Sequence, residues 1–98
     1  MTSKTSLIIR ISGIVQGVGF RPFIYRAATK SGVKGYVRNM GGSEVEVRIE
    51  GEVSQVSNFL KLLLLEKPPP AKLEKIVIEE SQFNGFDSFT ILPSGKDK

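Results

Sequence analysis

The residues best suited to chemistry lie in one stretch, Gly13-Ile14-Val15-Gln16-Gly17-Val18-Gly19-Phe20-Arg21-Pro22, which holds three glycines, one arginine and no acid. Glycines let backbone N–H groups turn toward one point without interference from a Cβ. Successive N–H groups aimed in this way form a concavity that suits an anion, and a helix beginning beside it adds partial positive charge. Arg21 falls where such a helix would start, and its guanidinium is a permanently charged fork able to grip two phosphate oxygens. A cation there opposes the helix dipole by roughly 0.3–1 kcal/mol, a cost that a bound anion would offset. The stretch therefore reads either as an anion cradle or as a tight structural turn, and composition alone leaves both open.

It is not a nucleotide loop of a common kind. The chain contains no Gly, four residues, Gly-Lys-Ser/Thr string, and Pro22 stands where a dinucleotide fingerprint beginning at Gly17 needs its third glycine. The chain has no histidine and no cysteine, so imidazole bases, Ser-His-Asp and Cys-His triads, thiolate chemistry and disulfides are all excluded. Catalysis would have to run on arginine, lysine, amides, hydroxyls, carboxylates or backbone. Residues 1–43 carry seven basic residues and no acid, whereas residues 44–98 carry seven basic residues and all ten acids. The halves are thus +7 and −3, and the glycine stretch sits in the positive half, which favours an anionic ligand. Glu44, Glu46, Glu50 and Glu52, all on one side of an alternating strand, raise the question of a metal site. Alternation alone would place them on a solvated sheet face, so no metal ligand set is expected.

The elements that must position these residues follow from periodicity. Leu7–Ser12 alternates as a strand with Leu7, Ile9 and Ile11 on one face. Phe20, Phe23, Ile24, Ala27 and Ala28 recur at helical spacing; Pro22 suits the first turn and Gly32 a left-handed end cap. Val33–Asn39 reads as a second strand, Met40-Gly41-Gly42-Ser43 as a hairpin turn, and Glu44–Glu50 as a third strand with Val45, Val47 and Ile49 inward. Ser54 is the expected N-cap of a second helix with the stripe Val56, Phe59, Leu60, Leu63 and Leu64, ended by Pro68-Pro69-Pro70. Leu73–Glu80 makes a fourth strand, and Phe89-Thr90-Ile91 a short edge strand. The order β-α-β-β-α-β implies an α+β, ferredoxin-like sandwich: a four-stranded antiparallel sheet, with room for a fifth edge strand, carrying both helices on one face. One domain over 1–98 is expected, with its core at about 7–91 and flexible ends at 1–6 and 92–98. No apolar run approaches the roughly 20 residues of a membrane span, and the chain is expected to be cytoplasmic.

With these elements in place, the chain resembles the acylphosphatase family. The likeness rests on Gly13 through Arg21, then Lys34-Gly35-Tyr36-Val37-Arg38-Asn39, Gly-Gly, and Val45-Glu46-Val47, with Pro68-Pro69-Pro70-Ala71-Lys72 further on. The resemblance implies hydrolysis of the carboxyl–phosphate bond of small acyl phosphates, with no cofactor or metal and inorganic phosphate as a product. It implies that Arg21 binds phosphate, that Asn39 orients water, and that the substrate's phosphate lies on Gln16, Gly17, Val18, Gly19 and Phe20. The Gln16 side chain is left open between contacting substrate and turning outward. A monomer that engages neither nucleic acid nor membrane is expected.

Phe20-Arg21-Pro22-Phe23 and Phe89-Thr90-Ile91-Leu92-Pro93-Ser94 further resemble the N-terminal acylphosphatase-like domain of the hydrogenase-maturation carbamoyltransferase, which implies carbamoyl phosphate as a substrate. The chain is then either an isolated domain of that kind, with weak activity or none alone, or a stand-alone enzyme with a similar loop. The rival from another class is an RNA-binding module on the same fold. Lys34-Gly35-Tyr36-Val37 echoes a basic-glycine-aromatic strand, but Val45 and Val47 stand where stacking aromatics would be needed.

Overall fold

Apolar alternation builds a sheet and two apolar stripes cover one side of it. In the computed structural model, which describes residues 3–93, the order is β1 (Lys4–Ile14), α1 (Phe20–Ser31), β2 (Lys34–Asn39), β3 (Glu44–Glu52), α2 (Val53–Leu65), β4 (Lys72–Glu80) and β5 (Phe89–Ile91). The strands form one sheet in the order β4-β1-β3-β2-β5. Both helices pack on the sheet and on each other. Between the layers lie Ile9, Ile11, Val37, Val45, Val47 and Ile49 of the sheet, Phe20, Phe23, Ile24, Ala27 and Ala28 of α1, and Val56, Phe59 and Leu63 of α2, all buried. This is the ferredoxin-like α+β sandwich, and α1 ends, as expected, on left-handed Gly32.

Several expectations need correction. The short edge strand expected at Phe89–Ile91 is present as β5, but it pairs in parallel with β2, from Gly35↔Phe89 to Val37↔Ile91, so the sheet is mixed and not all antiparallel. Residues 4–6, expected to fray, belong to β1 and pair with Glu50–Glu52 of β3. Of the remaining expected flexible ends, Ser3 accepts from Val53 N–H at 3.0 Å and Leu92 N–H donates to Val37 O at 2.9 Å, while 1–2 and 94–98 lie outside the described residues. The α2 N-cap is Glu52 rather than Ser54. The Glu52 side chain accepts from the Gln55 backbone while Gln55 Oε1 accepts the Glu52 N–H at 2.9 Å, a reciprocal pair that satisfies two donors where a serine cap satisfies one. Leu64 is 60 % exposed; the inner stripe of α2 runs through Val56, Phe59 and Leu63, with Leu60 and Leu62 at its margins.

The glutamates of β3 are the largest departure. Alternation does turn them away from the helices, but Glu46 is 6 % exposed and Glu50 only 1 %. The cover over Glu50 comes from the chain between β4 and β5, which crosses the sheet at the end farthest from the glycine stretch. Ser81 N–H donates to Ser6 O (2.8 Å), and Gly35 N–H donates to Ser88 O (3.0 Å). In between, the N–H groups of Asn84, Gly85 (2.9 Å) and Phe86 (3.2 Å) converge on the Glu50 carboxylate, which also accepts from Ser6 Oγ (3.3 Å). Arg48 lies 3.7 Å from the same carboxylate, donates to Gln82 O, and stacks over Phe86 at 5.4 Å. The segment 81–88 is therefore a strap knotted to a buried anion, and it delivers β5 to the edge of β2.

Burial pushes the Glu50 carboxyl up, but the three strap N–H groups and the Ser6 hydroxyl outweigh it and hold the group below its ordinary 4.5. Its contribution to stability is complete above that value and is lost as pH falls through the lower folded one. Glu50→Gln should destabilise the fold by about 1–3 kcal/mol at neutral pH in urea titrations, because donors aimed at a carboxylate lose their acceptor. The gap between variant and wild type should shrink below pH 4.5. A gap that stays constant to about pH 2 would show that carboxylate charge does not hold the strap.

Candidate active site

The glycine stretch leaves β1 under close constraint. Gly13 lies at a register shift between β1 and β4, and a Cβ on it would stand 2.1 Å from Lys72 O. Its N–H donates to Ser43 O at 3.1 Å, tying the end of β1 to the β2–β3 turn. Gly17 and Gly19 then take φ of +73° and +75°, left-handed values that an L side chain adopts only at a cost. A Cβ on either would meet no protein atom within 4 Å, so conformation and not crowding calls for glycine there, and the space in front of the loop is open.

Gly19 is the N-cap of α1 and offers no side chain to its first turn, which contains no acid. Pro22 has no N–H. The donors of Phe20 and Arg21 thus have no intrahelical acceptor and lie at the positive end of the dipole. The side chain of Phe20, named with the loop, is 1 % exposed, so only its backbone can meet a ligand. Val18 is half-buried and packs against the core, and it too can offer only its N–H. The half-buried Arg21 stands in the first turn. The Gln16 side chain, left open above, donates from Nε2 to Glu44 O at 3.3 Å; it spans from the loop to β3, leaving its backbone on the loop.

Asn39 is the last residue of β2, half-buried, opposite Val45 of β3. Val45 also faces Ile11 of β1. Ile11, Val45 and Asn39 thus form one row across three strands, and the strand spacing puts β1 and β2 about 10 Å apart there. Asn39 shares its face with Val37, the face that α1 covers. The sheet therefore brings the glycine loop, Arg21 and Asn39 to one end of the molecule and to the helix side. Lys72, opposite Ile14, borders the same end. The arrangement offers N–H groups and a guanidinium to an anion and a carboxamide beside it. These are donors that match phosphoryl oxygens and repel cations.

Sequence reasoning missed the polar groups behind Asn39. Glu46 accepts from the Tyr36 hydroxyl at 2.5 Å, and Arg38 lies 3.7 Å from the same oxygen. A Tyr and an Arg two apart on β2, with a glutamate in register on β3, was a legible signal once the strands were paired.

The acylphosphatase family model matches residues 7–91, and the chain belongs to that family; its likeness to named acylphosphatases supports a hydrolase acting on acyl phosphates. It is 43 % identical over 86 residues to an acylphosphatase of Thermotoga petrophila, covering 88 % of this chain and 94 % of that one. It is 47 % identical over 96 residues to a probable carbamoyltransferase HypF of Methanocaldococcus jannaschii; that match covers 97 % of this chain but only 12 % of the relative's length. The crystal structure of an acylphosphatase from Bacillus subtilis superposes with a TM-score of 0.84 at 31 % identity, covering 92 % of this chain and 99 % of that one.

The left-handed loop gives a prediction about stability. Gly19→Ala should destabilise the protein by about 1–2 kcal/mol in urea, and Gly19→Asn by clearly less, since asparagine tolerates the left-handed region. Equal stability of Gly19→Ala and wild type would mean that the loop does not hold this conformation in solution.

Proposed function

We propose that the chain hydrolyses the carboxyl–phosphate bond of small acyl phosphates, carbamoyl phosphate among them, with Arg21 and the loop N–H groups on the phosphoryl oxygens and Asn39 orienting water. The observation that carries this reading is the convergence of an uncapped, acid-free helix start, an arginine in its first turn, and a carboxamide at one end of the sheet. Water attacks phosphorus, the bond from phosphorus to the acyl oxygen breaks, and the carboxylate departs with the bonding pair. The water's proton passes to the phosphate, leaving carboxylate and inorganic phosphate.

Such a reaction asks chiefly for positioning and for stabilisation of charge on the equatorial oxygens. A carboxylate is a good leaving group, so neither a general acid nor a histidine is needed. The cationic, N–H-lined cradle suits a mechanism without a metal. The 47 % identity to a HypF relative over nearly the whole chain favours carbamoyl phosphate as one substrate. Against an RNA-binding role stands the condition of Tyr36, whose ring meets Phe86 edge-on at 5.9 Å and Arg38 at 5.5 Å and so offers no free stacking platform.

The test is hydrolysis of benzoyl and carbamoyl phosphate by wild type, Arg21→Ala and Asn39→Ala. Arg21→Ala should lose on the order of 10³-fold in turnover, as arginines on transferring phosphoryl groups do. Asn39→Ala should lose about 10²–10³-fold in kcat while still binding inorganic phosphate. Chelator should leave the rate unchanged. Full activity in Arg21→Ala, or inhibition by chelator, would overturn this mechanism, and a folded wild type that turns over neither substrate would overturn the function.

A further inference from the structure

Hydrolysis as proposed uses the backbone of residues 16–20 and gives the Gln16 side chain no part. Yet that backbone is held unevenly. Val15 and Phe20, each 1 % exposed, anchor the two ends of the loop in the core, and Val18 packs against the core between them. Apolar contacts of this kind set where the loop lies, but they are non-directional and do not fix which way an N–H points. The directions depend on Gly17 and Gly19, which flank Val18 at φ of +73° and +75°. Glycine visits negative φ about as readily as positive φ, so these residues do not hold the left-handed values by themselves.

A directional contact is needed, and the loop has one. Among the described residues, Gln16 Nε2 on Glu44 O at 3.3 Å is the single hydrogen bond that ties residues 16–18 to the rest of the chain. It starts from the residue just before Gly17 and ends on the first residue of β3, a strand paired on both sides. Three residues earlier, Gly13 N–H donates to Ser43 O at 3.1 Å. The chain is thus caught at two consecutive carbonyls, Ser43 and Glu44, as it leaves β1 and enters the loop. The first bond brings the Gln16 amide within reach of the second.

We infer that Gln16 is a positioning residue for the phosphate loop: its side-chain bond to Glu44 O keeps the N–H groups of residues 17–20 open toward an anion before any anion arrives. The inference rests on the reading of this loop as the phosphate cradle. A loop spread over several conformations binds with an affinity reduced by the fraction that is competent. Once a phosphoryl group is seated, its oxygens accept from the loop N–H groups and hold the loop themselves. Loss of the Gln16 bond should therefore weaken capture, while the step that follows capture keeps nearly its full rate.

The test is backbone ¹⁵N relaxation on the phosphate-free protein, beside inorganic phosphate affinity and steady-state kinetics on benzoyl phosphate. Two variants are compared with wild type: Gln16→Met, which keeps the side-chain length and removes the donor, and Gln16→Ala. Urea titration checks that both fold. In wild type the Gly17, Val18 and Gly19 amides should be rigid, with order parameters of about 0.85. In both variants these should fall below about 0.6 and recover when phosphate saturates the protein. Phosphate affinity should fall, and KM rise, by about 3- to 10-fold, the range spanned by one hydrogen bond. The kcat should stay within about twofold of wild type. Unchanged order parameters in the phosphate-free variants overturn the inference, and weaker phosphate binding beside them would mark the Gln16 side chain as a direct substrate contact. Lost order with undiminished affinity overturns it as well. Arg21→Ala is the control, expected to weaken phosphate binding while leaving the free loop as ordered as in wild type. A folded wild type that binds no phosphate is a separate result: it removes the cradle reading itself, whatever Gln16 does to the order of the loop.

Discussion

The constraint on which the rest depends is the antiparallel pairing of β3 with β1 on one side and β2 on the other. Two strands that are each antiparallel to a common neighbour must run in the same direction, so β1 and β2 finish at the same end of the sheet. The glycine loop continues from one and Asn39 terminates the other. Two segments separated by some twenty residues of chain are thereby held about two strand spacings apart. The Gly13 N–H on Ser43 O and the Gln16 amide on Glu44 O make a second connection between them above the last rung of the ladder.

The face of the sheet away from the helices is arranged differently from the face they cover. An apolar layer is non-directional, tolerating small sliding of one element on another. The reverse face is held by directional contacts: Glu50 beneath the strap at one end, and Glu46 between Tyr36 and Arg38 nearer the other. Phe86 joins the two, stacked by Arg48 and set edge-on to Tyr36. Buried carboxylates are poor sources of net stability but strong sources of geometric definition, because an unpartnered one is far more costly than a misplaced methyl group.

The helix-facing half of the molecule was legible in the sequence for a physical reason. Residues such as Ile9, Ile11, Phe23, Ala27, Val45 and Val47 are placed by periodicity alone, and periodicity is local. The loop was legible because Gly17, Gly19 and Arg21 each go against an ordinary preference, and the departures share one location. The reverse face was not legible. Alternation correctly turned Glu46 and Glu50 away from the helices, but whether water or protein met them depended on residues 81–88 crossing the sheet from one edge to the other. Nothing in the local pattern of β3 encodes that crossing. The parallel pairing of β5 was hidden for the same reason, since its three residues acquire a partner only after the strap has been laid down.

Burial of the glutamates also alters how charge is distributed around the site. Counted along the chain, the acids of β3 dilute the positive first half. In the fold, Glu46 and Glu50 are turned to the reverse face, enclosed by Arg38, Arg48, Tyr36 and strap N–H groups. A carboxylate already engaged by a guanidinium and hydrogen bonds projects little field beyond its partners, whereas the start of α1 carries Arg21 with no acid in its first turn. An approaching anion therefore meets the dipole of α1 and Arg21 with little opposition from Glu46 or Glu50. The ion pairs to Arg38 and Arg48 thus keep the charges of Glu46 and Glu50 on the reverse face, away from the start of α1.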